Sequence, residues 1–61
     1  MDYYDKRRRA INLIDKMFRD GKRIIEIQFK IETLFGFGEK IVNNRLNKLN
    51  KLIEEQENDK D

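Results

Sequence analysis

The sequence predicts an all-α fold of three helices joined by two short connections. Apolar residues recur at three- and four-residue spacing through three separate segments, the signature of amphipathic helices. Proline is absent, and the three glycines fall in only two places, Asp20-Gly21 and Gly36-Phe37-Gly38. With 61 residues the chain makes one domain at most, since a chain this short buries only about 60% of its unfolded surface.

In the first segment Ala10, Ile11, Ile14, Met17 and Phe18 follow the i, i+3, i+4 pattern, with Leu13 beside them. This predicts a helix over about 3–19, with Asp2 as its N-cap and Gly21 as its stop. The second segment carries Ile24, Ile27, Ile31, Leu34 and Phe35 on one stripe. Ile25 and Phe29 form a narrower second row. Ile25, Ile27 and Phe29 also alternate as in a strand, but the 3.6-residue stripe continues to Phe35, so a helix over about 23–35 is expected. In the third segment Val42, Leu46, Leu49 and Ile53 make a heptad seam flanked by Ile41, Arg45 and Leu52, predicting a helix over about 39–57. Past Ile53 no apolar residue remains, and fraying is expected there. Residues 1–57 thus form one domain and 58–61 a frayed acidic tail.

Composition narrows the function. The absence of Cys and His excludes a zinc finger, a thiol nucleophile and a His-based acid/base pair. No cofactor is expected. No apolar stretch approaches the roughly 18 residues of a bilayer span, and no signal peptide is read at the start. A cytoplasmic, nucleoid-associated protein with no membrane partner is the expectation. Eight Ile and eight Lys fit a thermophile, against which six Asn argue.

Charge is uneven along the chain. Residues 1–53 carry a net +6 and residues 54–61 a net −4. A basic body suits a polyanion, because Lys and Arg displace condensed counterions from phosphates. The same charges also fit a solvated surface that only keeps the protein dispersed. The run Lys6-Arg7-Arg8-Arg9 is the densest basic cluster, and on a helix its members cannot all share one face.

Between Ile27 and Leu49 a helix ends in Phe35-Gly36, the chain turns through Phe37-Gly38, and a polar helix opens with Glu39-Lys40-Ile41-Val42. This stretch resembles the helix-turn-helix of DNA-binding proteins, in the small wingless three-helix form of archaeal or viral type. Gly36, Phe37, Gly38, Val42 and Leu46 stand in order where that family places a turn glycine, a core plug, a helix start and two buried residues. Ile31 and Phe35 match its buried positions in the preceding helix. Two features depart from the family. Glu32 stands where a small residue usually lets the helices cross closely, and Gly38 replaces the usual Ser or Thr cap. No β-hairpin wing follows.

The resemblance implies binding of double-stranded DNA, as a transcription regulator or as an accessory of replication or chromatin. The third helix would enter the major groove with Lys40, Asn43, Asn44 and Asn47, while Lys48 and Lys51 approach flanking phosphates. Lys6, Arg7, Arg8 and Arg9 would add phosphate contacts from the first helix. Arg45 has two readings, a backbone contact or an internal ion pair.

Other constellations lead elsewhere. A homodimer is expected through Leu49, Leu52 and Ile53, since a chain this small needs extra buried area. The alternative function is a protein-interaction module docking on a larger partner through the Ile25/Phe29 row. Exposure of that row favours the module, and a continuous positive face around Lys40, Lys48 and Lys51 favours DNA. Phe18, Phe29, Phe35 and Phe37 fall on expected inner faces, so core packing accounts for them better than base stacking. Tyr3 and Tyr4 remain candidates for stacking. Asp15 with Asp20, and Glu26 with Glu32, are carboxylate pairs without a pocket, and no enzymatic activity is expected.

Overall fold

A computed structural model describes residues 2–58, and of Asn58 the backbone alone. It contains three helices, α1 (Tyr3–Arg19), α2 (Ile24–Phe35) and α3 (Glu39–Asn58). Each packs against the other two, and no strand occurs among the described residues. The segment with strand-like alternation is helical because Ile27 and Ile31, one turn apart, are both needed in the core.

Asp2 stands at the N-cap of α1 with extended backbone, but its side chain makes no capping bond. The other end of α1 closes in a Schellman motif. The Lys22 N–H donates to the Met17 carbonyl and the Gly21 N–H to that of Phe18, at 3.0 and 3.1 Å. Gly21 takes φ +78°, which a residue with a Cβ adopts only at a cost. α2 ends in the simpler left-handed cap. Gly36 has φ +73° and its N–H donates to the Glu32 carbonyl at 2.9 Å. That conformation turns the chain sharply enough for α3 to begin three residues later.

The core is one cluster of two residues from each helix: Ala10 and Ile14, Ile27 and Ile31, Val42 and Leu46. Leu13, Met17, Phe18, Phe35, Phe37, Ile41 and Leu49 pack around it, half-buried. Phe37 plugs the corner between α2 and α3. Its ring lies edge-on to Tyr3 at 6.0 Å, stacks with Phe35 at 6.5 Å, and carries the Lys6 ammonium 5.1 Å from its centre. The start of α1 is thereby fastened over the interhelical turn.

The apolar stripes fade towards the helix ends. Along the α3 seam Val42 is fully buried and Leu46 nearly so, Leu49 is half-buried, and Ile53 is 42% exposed. α3 therefore outruns the body it packs on, yet stays helical past Ile53 to Asn58 where fraying was expected. The rest of the acidic tail, 59–61, lies outside the described residues.

Candidate nucleic-acid interface

From Lys40 to Ile53, α3 carries Lys40, Arg45, Lys48 and Lys51 and no acid. Its core side takes Val42 and Leu46, so the 3.6-residue period turns Lys40, Asn43, Asn44, Asn47, Lys48 and Lys51 outwards. All six are exposed. They form one strip along the first three turns, bounded by Glu39 before it and by Glu54 and Glu55 after it.

Two neighbours steady the strip. The Gln28 amide of α2 donates to the Asn43 side-chain carbonyl at 2.8 Å, so Asn43 is held by the protein and offers outward chiefly its NH2 group. Arg45 lies on the flank towards α1. Its Nε and Nη2 donate to the two carboxylate oxygens of Asp15 at 2.9 and 2.8 Å. The hydrogen bond from Arg45 holds the Asp15 carboxyl below the usual carboxylate range, and the same bond raises the Arg45 guanidinium. Of its two expected roles, Arg45 takes the internal ion pair.

The four-residue basic run is dispersed by the helix that bears it. Arg7 lines a cleft between α1 and α3 with Asn44, Arg45 and Lys48, and so extends the α3 strip. Lys6 is occupied over the Phe37 ring. Arg8 pairs with Asp5 at 3.2 Å on the surface, a contact of little energetic weight. Arg9 is exposed and has no place in that cleft.

No family model matches this chain, and neither a curated protein nor a solved structure is significantly similar to it. Glu32 is exposed, so the carboxylate at the expected close crossing points to water and does not obstruct it. Leu49 is committed to the core cluster, which leaves Leu52 and Ile53, 46% and 42% exposed, from the expected dimer patch. Tyr3 packs on Phe37, whereas Tyr4 is 75% exposed.

Phe29 departs from the inner-face expectation. It is 70% exposed and its row-mate Ile25 71%. The two form a ridge beside a shallow groove of 670 Å³ between α1 and α2, floored by Leu13 and Met17. Periodicity pointed to the ridge, but only the packing of α2 through Ile27 and Ile31 shows that nothing among the described residues covers it. Gln28, which positions Asn43 from α2, has no place in the sequence reading, and Asp15 stands there only in a carboxylate pair with Asp20, not as the partner of Arg45. Gln28 sits next to Ile27 on the flank that meets α3, the one sequence signal available for it.

Proposed function

We propose that this protein binds double-stranded DNA with the outer face of α3 in the major groove. The observation that carries the reading is the strip itself, an exposed helix face of Lys and Asn, free of acid over three turns and continued on α1 by Arg7. An α-helix of this width fits the major groove, where Asn amides match adenine N6 and N7 and Lys reaches guanine or phosphate. The left-handed Gly36 and the Phe37 plug support it, because they set α3 across α2 with this face outwards. Regulation of transcription and an accessory role in replication or chromatin are both compatible with such a face.

A second reading, docking on a protein partner, is favoured by the exposed Ile25/Phe29 ridge. The two readings use different surfaces, so one experiment separates them. Titrating unlabelled duplex into isotope-labelled protein and following amide chemical shifts is expected to move resonances of 40–51 and Arg7. The amides of Ile25 and Phe29 stay in place. Absence of any shift at low salt would refute the DNA reading.

A further inference from the structure

The α1/α2 groove and the α3 strip lie on opposite sides of the molecule. Each helix packs on the other two, so the seam between α1 and α2 faces away from α3. The groove is lined by α1, the connection after it and α2, with no residue of α3. We propose that a second copy of this chain covers this groove in a twofold dimer whose two α3 faces point apart, so that the dimer bridges two DNA duplexes. The bridging rests on the DNA-binding reading above; the dimer surface does not.

Three observations favour a second copy as the occupant. Ile25 and Phe29 stand one helical turn apart and each shows about 70% of its surface. Together they expose on the order of 250 Å² of apolar area per protomer, a central patch of the kind that anchors an interface. A stable interface takes about 800 Å² from each partner. Set against a total surface of 5124 Å², that is about one-sixth of the protein.

The rim is the second observation. It carries Lys16, Lys22 and Lys30 together with Asp20 and Glu26. A rim of both signs suits its own twofold copy, in which cations of one protomer meet acids of the other. A polyanion would meet Asp20 and Glu26, and a polycation the three lysines. The third observation is the size of the core. Six residues are buried, with no disulfide or metal-binding cysteine to supplement them, and association would supply further burial. The α3 end offers less for this purpose, since Leu52 and Ile53 are under half exposed.

The consequence for DNA follows from symmetry. A twofold dimer through α3 would set two α3 helices side by side for adjacent turns of one duplex. A twofold dimer through the opposite side places the α3 faces on its two outer surfaces, with two bodies between them, each 18 Å through its thinnest dimension. One straight duplex cannot reach both, and two duplexes can.

The test uses the full chain and the neutral variant Ile25→Ser/Phe29→Ser, which leaves net charge unchanged. Leu52→Ser/Ile53→Ser serves as comparator and circular dichroism as the control for folding. Sedimentation equilibrium at about 100 µM chain, where a micromolar dimer is mostly formed, is expected to show a dimer for wild type and comparator. The Ile25/Phe29 variant is expected to weaken dimerisation at least about a hundredfold, so that it is largely monomeric at a few tens of micromolar. A fluorescent duplex should be retained on an immobilised duplex by wild type and not by that variant, which still binds a single duplex. A monomeric wild type, or a dimer that survives the Ile25/Phe29 change, overturns the proposal. A dimer lost in the variant, from a protein that binds no duplex, upholds the interface and overturns the bridging.

Discussion

The Asp15–Arg45 pair joins α1 to α3 and fixes the rotation of α3, so its removal is the most informative single perturbation of the fold. Both carboxylate oxygens accept from the guanidinium, and the side chains are 27% and 25% exposed. A hydrogen bond between charged groups contributes about 1.5–3 kcal/mol. Residual exposure screens the pair towards the lower end of that range. Asp15→Asn keeps the shape and removes the charge, and its NH2 group faces a guanidinium that can only donate. The expected loss is about 1–2 kcal/mol, which in a domain of this size lowers Tm by about 5–15 °C. Urea unfolding followed by circular dichroism measures it, and a double-mutant cycle with Arg45→Met should return a coupling of about 1 kcal/mol.

The pH dependence follows from the direction of the shift. The folded-state pKa of Asp15 lies below its unfolded value, mainly through the Arg45 hydrogen bond. The unfolded chain therefore takes up the proton first as pH falls. The contribution is complete above the unfolded value of about 3.9 and is lost as pH drops through the folded value. Wild type and Asp15→Asn should differ by a constant amount from about pH 5 to 8 and converge below about pH 4. Equal stability at neutral pH, or a gap that persists into acid, would refute this account of the pair.

Four further outcomes are expected from unfolding curves. Gly36→Ala should cost about 1–2 kcal/mol from its left-handed backbone alone, because a Cβ there meets nothing within 4 Å. Gly38→Ala, where φ is not positive and space is also open, should change stability by less than about 0.5 kcal/mol; equal effects at the two sites would contradict the turn geometry. Ile31→Val, in the fully buried core, should lose about 0.5–1.5 kcal/mol, and a neutral result would mean a looser core than described. Glu57→Lys should stabilise by about 0.3–0.5 kcal/mol, since the last turn of α3 carries acid and no base against the helix dipole.

The interior of this fold was legible in the sequence, and its edges were not. Glycines at 21, 36 and 38 and the apolar period placed α1 at 3–19, the structure's own bounds, and put α2 and α3 within one residue of Ile24–Phe35 and Glu39–Asn58. All six core residues stood on the expected stripes. Periodicity is a local signal and does not tell where a neighbouring helix ends. Ile24, Leu34 and Ile53 therefore matched their stripes and yet are 57%, 57% and 42% exposed.

The same limit applies to the candidate interface. The outward strip from Lys40 to Lys51 was readable, because the buried side of one helix defines its opposite. Pairings across helices were not. Asp15 meets Arg45 thirty residues away, Gln28 meets Asn43 across the α2–α3 contact, and Lys6 leaves the basic run for Phe37. Such contacts depend on crossing geometry, which no spacing within one helix encodes.

On the proposed DNA reading, Lys40 lies in the groove, where it reaches guanine or phosphate, and Lys48 and Lys51 approach the flanking phosphates. Fluorescence anisotropy of a labelled duplex, titrated at several salt concentrations, tests it most directly with a Lys40→Ala/Lys48→Ala/Lys51→Ala variant alongside. Each phosphate contact contributes about 0.9 to the slope of log K against log salt. Wild type should bind with a steep negative slope, and the variant should bind more weakly with a slope shallower by up to about 3. A folded wild-type protein that binds no duplex at low salt, or a variant with unchanged affinity and slope, would contradict it.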